Sequence, residues 1–256
     1  MEFTWLGTAG FIVKDKQGEI AFDPFLSRGK GAPAPFTAAK SFANTQAIFV
    51  GHGHFDHTFD IPDIVQNSDA QVYAPGLTGQ ILKMRGVPGG RLTSADNKET
   101  LFKSFNMRAF KSAHVKFDIP LVLSTIKQCS VKDCMHICGL GLGYPKGLVQ
   151  TYYFESGGKK FLFMSSAGAD QRELEMYRGL EIDYLLAPLQ GHSRIQEIAA
   201  KQTAIIRPKV VIPHHWDDFY PPLTQNVSVE IFREKLKHVE FKGEVLEMPL
   251  FSSAQL

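Results

Sequence analysis

Ala47-Ile48-Phe49-Val50-Gly51-His52-Gly53-His54-Phe55-Asp56-His57 runs four apolar residues into a glycine and then places four metal-capable side chains within six positions. The apolar run reads as a buried strand and Gly51 as the turn that ends it. The strand would present the histidines at a sheet edge, where side chains from a sheet converge on a site. Imidazole together with carboxylate suits zinc, manganese or iron. No cysteine lies near the run, as one would in most structural zinc sites. A catalytic centre uses His and carboxylate and leaves a position open for water. The chain has nine histidines in 256 residues, so three beside one aspartate within six positions is not a composition effect.

Outward from that run, the first third reads as short strands separated by glycines: Phe3 to Leu6, Phe11 to Val13 and Glu19 to Phe22. Leu26 to Pro35 is a loop. Thr58 to Val65 and Gly79 to Met84 read as short helices, Gln71 to Ala74 as a strand, and Leu101 to Phe110 as a strand pair. Leu148 to Phe154 and Phe161 to Met164 flank Ser156-Gly157-Gly158 as a hairpin. Strand and helix then alternate. Gln171 to Arg178, Ile195 to Ile205 and Val229 to Leu236 are the helices; Tyr184 to Pro188, Val210 to Pro213 and Glu244 to Met248 are the strands. This describes one α/β domain over residues 1–256, with an inserted Cys/Gly-rich segment at about 115–147.

Composition narrows the function. Basic and acidic residues number 28 and 26, with 44% hydrophobic residues, so no charge excess marks a nucleic-acid binder. No apolar stretch is long enough to span a bilayer. The start carries no secretory pattern, and three cysteines make no disulfide framework. The expectation is a cytoplasmic protein acting on a small molecule.

The pattern H-x-H-x-D-H after an apolar strand resembles the signature of the metallo-β-lactamase superfamily, and the resemblance covers nearly the whole chain. Thr4 to Phe11 and Ile20 to Phe25 are similar to the first strands of the branch containing ascorbate-6-phosphate lactonase and N-acylphosphatidylethanolamine phospholipase D. Ile212-Pro213-His214-His215-Trp216 is similar to that branch's last ligand strand. The resemblance implies a four-layer αββα sandwich with one or two metals at the sheet edges. It implies His52, His54 and His114 as ligands of one metal, and Asp56, His57 and His215 as ligands of a second. His214 competes with His215 for the last place. Asp23 would brace the histidine loop by orienting an imidazole, and Asp56 would also take the attacking water's proton.

Two positions depart from the family pattern. The family ends its central strand in Gly-Asp-Thr, whose aspartate bridges both metals. Here Ser165-Ser166-Ala167-Gly168 stands there, with Ser166 in the bridging place. Asp170 could substitute, but it is better placed to begin the helix at Gln171. The expectation is one tightly held zinc and a second metal weak or absent, manganese and iron being the other candidates. Thr8 stands where the branch often has histidine, and reads as a plain strand residue.

In the resembling branch a loop similar to the one at Gly191-His192 lines the substrate pocket, which implies that His192 binds substrate or shuttles a proton; a surface-loop histidine is the other reading. Cys129, Cys134, His136 and Cys138 lack C-x-x-C spacing and read as reduced thiols in the insertion. Gly139 to Lys146 reads as a mobile lid. The leading expectation is hydrolysis of an ester, lactone or phosphodiester by a metal-activated water. A mononuclear iron oxygenase of the same fold and a catalytically weakened metal-binding or sensor protein are the alternatives.

Overall fold

The computed structural model describes residues 1–35, 37–96, 102 and 105–256. The first half of the chain builds a seven-stranded sheet from β1 (Glu2–Trp5), β2 (Phe11–Asp15), β3 (Gly18–Phe22), β4 (Thr45–Phe49), β5 (Gln71–Ala74) and β6 (Leu92–Ser94), with a late strand added at its edge. Between its strands lie α1 (Phe55–Thr58), α2 (Ile61–Gln66) and α3 (Gly76–Met84). The first three strands form an antiparallel meander, and β3 through β6 are parallel.

The second half repeats the plan. After β7 (Arg108–Ser112) come α4 (Ile119–Gln128) and α5 (Val131–Gly143), then β8 (Val149–Ser156) and β9 (Lys159–Met164). The chain continues through α6 (Gln171–Arg178), β10 (Tyr184–Pro188), α7 (Ile195–Ile206), β11 (Val210–His214), α8 (Val229–His238) and β12 (Glu244–Val245). β7 to β9 are antiparallel and β9 to β12 parallel, in the order β12-β11-β10-β9-β8-β7. The last strand, β13 (Ser253–Gln255), crosses back to pair with β1 in the first sheet.

Alternation along the strands makes the layers. Phe3, Phe11, Phe22 and Phe49 of the first sheet meet Phe154, Phe161, Phe163 and Ile212 of the second in one buried cluster. Each fully buried Phe contributes about 1.5–3 kcal/mol. The opposite faces are covered by helices. Ile61, Ile64 and Leu82 of α2 and α3 pack on the first sheet; Leu174, Ala199 and Phe232 of α6, α7 and α8 pack on the second. Two sheets inside two helical layers is the expected αββα sandwich.

The helix expected from Thr58 to Val65 is two short ones, because Pro62 can only open a helix and α2 starts there. Part of the strand pair expected from Leu101 to Phe110 lies outside the described residues; β7 and a bridge from Phe102 to Met107 are present. The larger correction is the insertion. Gly139 to Gly143 belongs to α5 rather than to a loose lid. A capping box between Ser130 and Asp133 starts that helix, and propagation carries it through three glycines. Gly139 is exposed and a Cβ there would meet nothing within 4 Å. Gly139→Ala is therefore expected to stabilise the chain by about 0.5–1 kcal/mol, read as a higher denaturation midpoint at an unchanged slope.

Candidate metal centre

The site forms where strands end. His52 follows β4, His114 follows β7, Ser165 follows β9, Gln190 follows β10 and His215 follows β11. The histidine loop is tied across to the second sheet: Gln150 N donates to Gly51 O at 2.8 Å, and Tyr152 Oη donates to Val50 O at 2.7 Å. Gly51 has to be glycine, since a Cβ would sit 2.1 Å from the Ser165 Cβ and 2.7 Å from Asp23 Oδ2.

Two trios of donors result. His52, His54 and His114 form one; Asp56, His57 and His215 form the other. Within each trio the donor atoms lie within 4.8 Å of one another. His52 Nε2 stands 3.0 Å from His54 Nδ1, and His215 Nε2 stands 3.0 Å from Asp56 Oδ2. His57 Nε2 is 3.6 Å from the same carboxylate oxygen.

The far sides of three rings are held by other groups. His57 Nδ1 bonds Asp23 Oδ2 at 2.6 Å, while Asp23 Oδ1 accepts from Gly51 N at 2.6 Å. His52 Nδ1 faces Ser165 Oγ at 3.3 Å, and that hydroxyl donates to Gln150 O at 3.1 Å. His114 Nδ1 donates to Val115 O at 2.6 Å. Such contacts fix ring orientation and tautomer, leaving Nε2 free to ligate. The residues therefore fit one or two dications: imidazoles and a carboxylate, with their backs braced.

His214 and His215 are separated by the strand's alternation. His214 is fully buried between the sheets, stacked on Phe163 with centroids 5.5 Å apart. His215 turns the other way, toward Asp56, on a left-handed backbone at φ 58°. Thr8 and Asp23 share that backbone region, at φ 47° and 38°. Non-glycine residues hold it only where their surroundings enforce it. Thr8 is accordingly a turn residue and not the strand residue its neighbours imply. Its carbonyl accepts from His215 N at 2.9 Å and from Trp5 Nε1 at 3.0 Å, and its own N–H donates to Asp217 Oδ1 at 2.8 Å. Asp217 also pairs with the buried Arg28.

The remaining sequence candidates fall around the trios. Ser166 Oγ accepts from Val115 N at 3.0 Å, behind His114. Asp170 caps α6 by accepting from Glu173 N at 2.9 Å. His192 lines the cavity above the trios, and its Nδ1 accepts from Arg194 N at 3.0 Å. Cys129, Cys134 and Cys138 are free thiols on the cavity wall. His136 bonds the Tyr220 hydroxyl at 2.7 Å, and among the described residues no metal-capable group includes a cysteine. Gln190, Arg28 and the hydrogen bonds that join Thr8, Asp217 and Arg28 went unnoticed in the sequence.

Burial sets the electrostatics. It lowers His54 and His114 from the ordinary 6.5 to about 4, helped for each by the positive charge of neighbouring His57 and Lys146. His52 is lowered further by burial and by the neighbouring His57, His54 and His114. Burial works against a charged His57 too, but Asp23 and Asp56 outweigh it and raise that imidazole. Asp56 is held well below the carboxylate range: burial opposes this, and His57 and His215 prevail. The first trio is thus neutral and ready to ligate.

A stability consequence follows for metal-free protein. Below pH 6.5 the unfolded chain takes up protons on His54 and His114 that the folded chain refuses until about pH 4. Stability is then full above pH 6.5 and falls as the pH drops toward 4. Thermal unfolding after chelation should show this loss, and it should be shallower for His54→Gln. An equal slope in the variant would rule out this origin.

A family model described as the beta-lactamase superfamily domain matches residues 19–216. The chain belongs to the metallo-β-lactamase superfamily. More particularly, it is 26% identical over 238 residues to a UPF0173 metal-dependent hydrolase of Polaromonas sp. strain JS666, covering 91% of this chain and 82% of the relative. A UPF0173 metal-dependent hydrolase of Alkaliphilus metalliredigens is 29% identical, with 93% of each chain covered. Among solved structures, a metallo hydrolase from the archaeon Ignicoccus hospitalis aligns with TM-score 0.69 at 18% identity, over 99% of this chain and 97% of the other.

Proposed function

We propose that this chain is a metal-dependent hydrolase of an ester, lactone or phosphodiester, with the two donor trios as its metal centre. The observation that carries the reading is the pair of trios at the floor of one cavity. The relatives' names and the branch resemblance of the first strands point the same way. Zinc suits the donor set best, with manganese and iron next. His52, His54 and His114 hold the tighter ion. The other trio holds a weaker one, since Ser166 supplies no bridging charge.

When bound, the metal supplies acidified water and a Lewis acid for the developing oxyanion. The chain's residues do the rest. Asp56, kept ionised by His57 and His215, orients the attacking water and takes its proton. His192, whose Nδ1 accepts from Arg194 N, presents Nε2–H as a hydrogen-bond donor to the leaving oxygen, which takes the proton held by Asp56. His192→Ala is expected to lower kcat about 10²-fold at unchanged metal content; an unaltered kcat would remove it from this role.

The reading is tested by chelation and reconstitution. Turnover of a panel of esters, lactones and phosphodiesters should vanish with chelator and return with zinc or manganese. Full activity after exhaustive chelation, or iron with oxygen uptake and no hydrolysis, would overturn it.

A further inference from the structure

The cavity over the trios has a volume of about 790 Å³, in the range of sites that engulf a whole small molecule. One wall is the insertion: Phe117, Leu121 and Ile126 around α4, with Ile137 and Leu140 on α5. Leu223 and its neighbours after β11 close the other side. Phe117 and Ile126 line this space and yet are 58% and 54% exposed. Neither α4 nor α5 buries any residue. These helices spend their apolar side chains on the cavity and its mouth rather than on the protein core.

The charge on these walls is more telling. Among the described residues, no lysine or arginine lines the cavity, and Asp56 at its floor is the one carboxylate. Lys146, whose field reaches His54 and His114, is not among the lining residues. The Ser165 and Ser166 hydroxyls and the Gln190 amide, which line it near the metal centre, carry no charge. The Gln190 Nε2 is buried and has no hydrogen-bond partner in the protein, a neutral donor left for a neutral acceptor.

A charged group against such walls loses hydration and gains no partner, which costs far more than burying a methylene. Only charge developing at the metal centre is compensated. A phosphodiester arrives already ionised, and beyond the metal centre itself its charged oxygens would find no lysine or arginine in the lining to supply charge-assisted donors. A carboxylic ester or lactone arrives neutral and becomes anionic only at the centre.

We infer that the substrate is an uncharged, lipophilic carboxylic ester or lactone whose apolar part lies against α4 and α5; this rests on the hydrolase reading above. Water adds to the acyl carbon, the acyl C–O bond breaks, and the leaving oxygen takes a proton, giving a carboxylic acid and an alcohol.

The test uses the zinc-loaded protein with p-nitrophenyl esters of four to ten carbons, the same esters ending in a carboxylate, and bis(p-nitrophenyl) phosphate. Between four and eight carbons kcat/KM should rise about two- to fourfold per methylene. A terminal carboxylate should cost at least about tenfold, and the phosphodiester should fall at least about 100-fold below the best ester. Leu121→Arg should erase the carboxylate penalty. The second readout needs no turnover. Metal-free protein should bind the neutral dye Nile red saturably, methyl decanoate should displace it, and Leu121→Arg should weaken binding. A preference for the phosphodiester or the charged esters, or a flat chain-length series, would overturn the substrate class while leaving a hydrolase. Hydrolysis of nothing in the panel under any metal would instead sink the hydrolase reading. Absence of saturable dye binding would sink the apolar cavity as a ligand site.

Discussion

His54→Ala is expected to abolish turnover, lowering kcat/KM by about 10³ or more, and to remove the more tightly held metal. His54 Nδ1 and His52 Nε2 stand 3.0 Å apart, and His114 completes their trio. Structural zinc binding is worth about 10–16 kcal/mol, so losing one of three protein ligands takes away roughly a third, or about 10³-fold in affinity. The fold should survive, because His54 is half-buried at the cavity and outside every core cluster. His215→Ala provides the contrast. It strikes the other trio, so it should cost activity while leaving close to one tightly held ion per chain. Metal content after gel filtration, measured beside activity for both variants, checks the assignment. Equal metal loss in the two variants would mean the trios do not act as separate sites, and retention by His54→Ala would remove that residue from the centre.

The sequence carried much of this because the histidine run is local. A strand ending in glycine fixes where His52, His54, Asp56 and His57 emerge, and four candidate ligands in six residues need no long-range information. The distant partners His114 and His215 came through resemblance rather than spacing. The choice of His215 over His214 agrees with period-two alternation, since β11 turns one of the adjacent rings into the core. The parallel strands and their helices were readable for the same reason of periodicity, and α6 and β10 fall at their expected limits.

What escaped is non-local or contrary to propensity. α5 runs through Gly139, Gly141 and Gly143, residues that argue for a loop wherever they stand. Thr8 looks like the end of a strand, but Gly10 N donates to Gly7 O across it, and partners far along the chain, His215 and Asp217, hold the turn in place. Arg28 belongs to no motif.

Asp217 offers the sharpest test of that hidden network. It is 1% exposed, pairs with the buried Arg28, and accepts from Thr8 N at 2.8 Å. Asp217→Ala leaves a guanidinium buried without a counter-charge, expected to cost about 3–5 kcal/mol, or roughly 10 °C or more in Tm for a chain of this size. The damage should also reach the metal centre. Thr8 O holds His215 N at 2.9 Å, and His215 keeps its left-handed backbone only while that segment is fixed. Metal in the second trio should therefore weaken while the first trio keeps its ion. The double variant Arg28→Met/Asp217→Leu separates the two effects. With no charge left unpaired it should recover most of the stability, yet Thr8 N still lacks its acceptor, so activity should stay low. Wild-type stability in Asp217→Ala would show that the ion pair does not anchor this corner. Recovery of activity together with stability in the double variant would show that Thr8 does not transmit its position to His215.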